Sequence, residues 1–119
     1  MDLYATFASP AQTVFGHLAD PSYLGNWLPD VTTAGSACPD EAEFPLTVHL
    51  DGSRVAASGE MTAYEPPWLV GYRLFIGAQA HSLRVTCTAQ AGGTLIHIHQ
   101  PDGPNLLTID LARLAREIP

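Results

Sequence analysis

VAASGEMTAYEPPWLVGYRLFIGAQAHSLRVTCTAQAGGTLIHIHQ, residues 55–100, is the stretch that decides the fold. It reads as alternating β-branched and aromatic positions broken by turn residues at regular intervals, the signature of consecutive short-linked strands. The strands predicted within it are Val55 to Tyr64, Leu69 to Ile76, His81 to Ala89 and Thr94 to Gln100. Pro66-Pro67 and Gly77-Ala78 interrupt the pairings, and Gly92-Gly93 has the composition of a tight hairpin turn. Links this short join neighbouring strands antiparallel.

Upstream, Asp51-Gly52 is another hairpin turn, preceded by predicted strands Phe44 to Leu50 and Val31 to Ala37. Leu3 to Ala8 alternates as an opening strand. Ser9-Pro10-Ala11-Gln12 then starts a helix, with Ser9 as cap, Pro10 in the first turn and Gln12 reaching back. Val14, Phe15 and Leu18 form its buried stripe. Asp20-Pro21 opens a second, shorter helix through about Leu24, ended by Gly25-Asn26 before Trp27-Leu28-Pro29 turns the chain into the sheet. Downstream, Pro104 starts a last helix reaching Ile118, whose stripe is Leu107, Leu111, Leu114 and Ile118. The predicted order is β-α-α-β6-α: one α+β domain over 1–119, a curved antiparallel sheet wrapped around a short C-terminal helix.

At 119 residues the chain has room for one core. With 46% hydrophobic and 14% charged residues it is neither disordered nor a charge-driven coiled coil. Its twelve carboxylates against five Arg, a formal charge of −7, argue against nucleic-acid and anionic-membrane partners. No apolar run is long enough to span a bilayer and Met1-Asp2-Leu3-Tyr4 is not a signal start, so a cytoplasmic location is expected. Cys38 and Cys87 have no ligand spacing. Cys87 reads as a small core residue in a strand, and Cys38 as a reduced loop thiol.

Ala8-Ser9-Pro10-Ala11-Gln12-Thr13-Val14-Phe15, with Leu18-Ala19-Asp20-Pro21 and Trp27-Leu28-Pro29, is similar to the opening strand, helix pair and tryptophan turn of the START-like superfamily. That superfamily is also called SRPBCC or helix-grip. Gly59-Glu60-Met61 through Tyr64-Glu65-Pro66-Pro67-Trp68-Leu69-Val70 resembles its mid-sheet strand and double-proline turn, and Gly93-Thr94-Leu95-Ile96-His97-Ile98 looks like its last strand. The resemblance spans nearly the whole chain and points to the bacterial polyketide-cyclase/dehydrase and chaperone-activator-like branches. It implies a pocket between sheet and last helix for a small hydrophobic molecule: a polyketide, an aromatic metabolite or a lipid. Some members cyclise or dehydrate their ligand by acid–base chemistry without metal; the alternative is a protein-interaction module without a small-molecule substrate. The last helix is shorter than is usual in the family, which allows a smaller or more open pocket, or one completed by a second subunit in a homodimer.

The resemblance carries no catalytic motif, so candidates come from strand parity. His81 shares a face with Leu83, Val85 and Cys87, the inward face; there it either acts as a general base or ends the strand against water. Leu50, Met61, Leu83, Leu107 and Leu111 are the interior positions expected to touch a ligand or fill the core. Trp27 and Trp68 are core or pocket entrance, and Tyr72 suits strand surface or pocket wall, as does Tyr64. Asp110 projects toward a ligand or pairs with Arg113 along the helix. Arg84, Glu60 and Arg73 fall on the outer face, where they can pair across the sheet.

His97 and His99, at i and i+2, share a strand face and so could share a metal. Sequence places no third ligand beside them, His49 included. Matching Ile96 and Ile98 to the family's inward positions puts both rings on the wetted face. The expectation is therefore structural or solvated histidines, no metal and no cofactor; in a reversed register both would line the pocket instead.

Overall fold

The computed structural model describes residues 2–33, 43–101 and 107–118. Seven strands form one antiparallel sheet: β1 (Asp2–Phe7), β2 (Val31–Thr33), β3 (Glu43–Leu50), β4 (Ser53–Glu65), β5 (Leu69–Ile76), β6 (Gln79–Gln90) and β7 (Gly93–His99). Their spatial order is β1-β7-β6-β5-β4-β3-β2, so β2 to β7 run as a meander and the first strand returns to flank the last. Helix α1 (Ala11–Ala19), a 3₁₀ turn over Pro21–Asn26 and helix α2 (Leu111–Glu117) cover the concave face. This is the expected helix-grip architecture. The last part of the predicted strand to Ala37, Cys38 and the predicted helix start at Pro104 lie outside the described residues.

The hairpins follow from backbone chemistry. Asp51 and Gly52 both have positive φ, 49° and 78°, as the β3–β4 two-residue turn demands. Gly77, at φ 60°, opens the β5–β6 turn. The β6–β7 turn sits one residue earlier than expected: Gln90 pairs with Gly93, so Ala91 and Gly92 make the corner and Gly93 begins β7. Between Met61 and Ala63 a bulge shifts the β4–β5 register, which tightens the local twist. Pro66-Pro67 is a cis peptide in the β4–β5 turn.

Two of the three helix starts need correction. Helix α1 begins at Ala11 with Pro10 as its N-cap, and the Pro10 carbonyl accepts the Thr13 and Val14 amides at 3.0 and 3.1 Å. Ser9 stands one residue ahead of that cap, buried, with its carbonyl accepting the Thr94 hydroxyl at 2.9 Å. The second helix is a 3₁₀ turn, and there the expected cap holds: Asp20 Oδ1 accepts the Ser22 amide at 2.9 Å and its hydroxyl at 2.7 Å. Helix α2 starts only at Leu111, because Asp110 is its N-cap and accepts the Arg113 amide at 2.9 Å. An aspartate is worth more satisfying a free helical N–H than in a helix interior. Of the predicted stripe, Leu107, Leu114 and Ile118 are buried and Leu111 is half-buried, but Leu107 precedes the helix.

The core lies between the concave sheet face and the helices. Val14, Phe15 and Leu18 of α1 pack with Leu24, Trp27 and Leu28 and with the inward residues of β3, β5, β6 and β7. Cys87 is among them, and burial pushes its thiol up to about 11 from the ordinary 9.0. A thiol raised in this way contributes stability in full below the unfolded value and loses it as pH climbs toward the folded one. Stability is therefore expected to decline between pH 9 and 11. In a Cys38→Ser background, a thiol reagent such as DTNB at about pH 8 should label the folded protein at least about 100-fold more slowly than the urea-unfolded chain. Equal rates would show that Cys87 is accessible.

Candidate functional site

The middle of the gripping face is built from two cross-strand rows. One runs Met61–Tyr72–Leu83 across β4, β5 and β6, and the next runs Phe44–Gly59–Leu74–His81 from β3 to β6. Gly59 has no side chain because the Phe44 ring occupies its place: a Cβ there would lie 2.6 Å from that ring and 2.9 Å from Leu74. Phe44 in turn meets Tyr72 edge-on, with ring centroids 6.3 Å apart at 89°. Trp27, wholly buried, also packs on Tyr72, with ring centroids 6.5 Å apart and planes tilted by 50°. The Trp27 carbonyl accepts the Asp110 amide at 2.9 Å, which ties the start of α2 to this cluster.

Three polar groups enter this apolar setting. The Tyr72 hydroxyl donates to the Leu18 carbonyl at 2.7 Å. Burial, with Asp20 and Tyr64 adding to it, raises the phenol far above its ordinary range, so it stays protonated at neutral pH. The other two are nitrogens, Nε1 of Trp27 and Nε2 of His81; both are buried without a hydrogen-bond partner among the described residues. An indole N–H left unpaired in the interior costs about 1–3 kcal/mol, and an imidazole nitrogen about the same.

The structure thus gathers Trp27, Met61, Tyr72, Leu83, His81 and, through its backbone, Asp110 around one patch. Asp110 spends a carboxylate oxygen on the α2 cap rather than on a pairing with the Arg113 side chain. Leu107 is buried in the same core, and Leu111 is half-buried against it. Leu50 and Trp68 stand apart. Leu50 pairs with Ser53 at one end of β4, and Trp68 lies just beyond Glu65 at the other. That strand is 13 residues long, roughly 40 Å of extended chain, so a small molecule in the central patch does not reach both. Trp68 is also 48% exposed.

The outer face carries the charges expected of it. Glu60 and Arg73 are paired in register and bridge at 3.3 Å. His97 and His99 stand there too, opposite in parity to the buried Ile96 and Ile98. His49 is on β3, four strands from β7, with its Nε2 3.3 Å from the Thr32 hydroxyl. The residue absent from the sequence reading is Asp2. It pairs in register with His99 on the neighbouring strand and sits diagonally from His97. Its Oδ1 lies 2.8 Å from both His97 Nε2 and His99 Nδ1. The two imidazoles, His99 first, hold the Asp2 carboxyl below its ordinary value. Only the return of β1 to the side of β7 brings the three together, and no local signal announces it.

No curated protein matches the sequence. Solved structures resemble the fold at low identity. Protein CV1439 from Chromobacterium violaceum superposes with a TM-score of 0.79 at 16% identity, covering 99% of this chain and 96% of that one. DR_A0006 from Deinococcus radiodurans gives 0.71 at 22% identity, covering 98% and 95%. DynU16, a protein of the dynemicin biosynthetic locus, gives 0.65 at 16% identity, covering 98% of this chain and 45% of that one. The sequence matches the model of one family over residues 3–115. No helix among the described residues is long and apolar enough to cross a membrane. The chain belongs to the family described as polyketide cyclase/dehydrase and lipid transport.

Proposed function

We propose that this protein binds a small hydrophobic molecule of polyketide, aromatic or lipid-like character on the gripping face, against Trp27, Met61, Tyr72 and Leu83. The observation that carries this reading is the pair of buried, unpartnered nitrogens, Trp27 Nε1 and His81 Nε2, in an otherwise apolar setting. Apolar walls with a few oriented polar groups are what a hydrophobic ligand bearing an oxygen requires, and such a ligand removes the cost of unpaired polar atoms. The family description and the resemblance to a protein of a biosynthetic locus support the same class.

Native mass spectrometry of protein purified from its host, followed by a denaturing run, tests it. A small apolar molecule released on denaturation is the expected result. Bare protein in repeated preparations, together with no thermal shift from aromatic polyketide or fatty-acid probes, sinks the reading.

Where chemistry follows binding, His81 is the general base for cyclisation or dehydration. Its imidazole is the side chain on this patch that can accept a proton, since Tyr72 is held protonated and donates to the Leu18 carbonyl. His81→Ala is expected to lower turnover of the recovered ligand's precursor by at least about 100-fold while leaving affinity within about tenfold. Unchanged turnover would remove His81 from the mechanism and leave a binding protein.

A further inference from the structure

We propose that Asp2, His97 and His99 form a binding site for a divalent transition-metal ion of the zinc class, on the outer face of the β1–β7 pair. This site is separate from the gripping face and does not depend on the ligand proposed there.

The geometry is that of a site held ready for an ion. Asp2 Oδ1 and the two ring nitrogens all lie within 4.8 Å of one another, with both nitrogens 2.8 Å from the one oxygen. Bonds of about 2.0–2.2 Å to nitrogen and oxygen place the donors of a tetrahedral ion roughly 3.4 Å apart. Rotation of surface side chains by about 1 Å therefore converts the hydrogen-bonded triad into three ligands around a cation. The backbone need not move, because all three residues are anchored in a paired ladder: Asp2 opposite His99, Tyr4 opposite His97. The Tyr4 ring stacks on His97 with centroids 4.5 Å apart and planes 5° from parallel, which holds that imidazole in the converging orientation.

The donor set determines which ions fit. Two imidazoles and one carboxylate suit Zn²⁺, Ni²⁺ or Cu²⁺, whereas Mg²⁺ and Ca²⁺ demand mostly oxygen ligands. Three protein ligands leave a coordination position open. Arg84, exposed and in register with His99, is the one cation among the described residues that faces the triad from the adjacent strand. It opposes a bare cation there but favours an anionic or hydroxide group in the open position. The net charge of −7 acts the other way, drawing cations to the surface.

Isothermal titration of tag-free protein with Zn²⁺ at about pH 7, and visible spectroscopy of the Co²⁺ form, test the site. The expected result is one saturable Zn²⁺ equivalent, a Co²⁺ spectrum of low-coordinate type, and no heat from Mg²⁺ or Ca²⁺. His97→Ala and His99→Ala should each weaken Zn²⁺ binding by about 100-fold or more, and Asp2→Asn by about tenfold. His49→Ala, on a distant strand, should leave it unchanged. Absence of saturable binding up to millimolar Zn²⁺ overturns the proposal, and so does binding that survives His97→Ala and His99→Ala or is lost with His49→Ala.

Discussion

Gly93→Ala is expected to cost about 4 kcal/mol, at the upper end of what one substitution does. A Cβ at Gly93 would lie 1.9 Å from the Phe7 carbonyl oxygen, 2.9 Å from its carbon and 3.0 Å from the Ala8 Cα. Those are backbone atoms, so no rotamer change relieves the overlap. Strand β1 must retreat, and with it go the antiparallel pairs from Phe7–Thr94 to Asp2–His99. Gly92→Ala is the matched control. Gly92 has a left-handed φ, 82°, but nothing lies within 4 Å of its would-be Cβ. Its cost is therefore only the left-handed backbone penalty, about 1–2 kcal/mol. Urea melts of the two variants against the parent measure the difference. Equal costs would mean that β1 does not press on the start of β7. Because Asp2 rides on β1, Gly93→Ala should also weaken the Zn²⁺ binding proposed above by at least about tenfold, as loss of the Asp2 ligand does, whereas Gly92→Ala should keep it.

That clash illustrates which parts of the architecture can be read along the chain and which cannot. Strand β5 is the predicted Leu69 to Ile76 residue for residue, because alternation and flanking turns are local signals. Parity puts His97 and His99 on one face and Ile96 and Ile98 on the other, but which face is outward comes from the family's inward positions, and the burial of Ile96 and Ile98 settles it. Asp2 as their partner does not follow from anything local: 95 residues separate it from His97. Only the closure of the meander by β1 joins them. A glycine read as a turn residue, Gly93, likewise proves to be a packing residue against that same strand.

The last helix was legible in its stripe and not in its start. Spacing by four, three and four from Leu107 is equally consistent with a helix that includes Leu107 and with a non-helical lead-in that buries it. Capping by Asp110 decides for the latter. The candidate site divides in the same way. Met61, Tyr72 and Leu83 share a parity and come together across neighbouring strands. Leu50 and Trp68 share the apolar character but lie at opposite ends of β4, and apolar character says nothing about position along a strand. Trp27 could be placed beside a turn but not against Tyr72, because that contact depends on how the 3₁₀ turn lies over the sheet.

Trp27→Ala should destabilise the protein by about 3–5 kcal/mol, the range for deleting a large buried aromatic. In a domain of this size that lowers the melting temperature by roughly 10–20 °C. Trp27 is 0% exposed, whereas Trp68 is 48% exposed, so Trp68→Ala should cost under about 1 kcal/mol. The informative step is rescue. Removing the indole leaves an apolar void bounded by Tyr72 and the lead-in to α2, and an apolar void of that shape binds small aromatics. Millimolar indole should raise the melting temperature of Trp27→Ala by several degrees and leave that of Trp68→Ala unchanged, as mass action on a folded-state site requires. Trp27→Phe separates packing from polarity: it keeps most of the ring contact and removes the unpartnered N–H. Its cost should therefore fall well below that of Trp27→Ala. If the indole N–H orients a bound oxygenated ligand, Trp27→Phe should also weaken retention of the co-purified molecule by about tenfold, the worth of one hydrogen bond in a dry site. Ligand retained undiminished by Trp27→Phe would assign Trp27 to the core alone and move the polar recognition to His81.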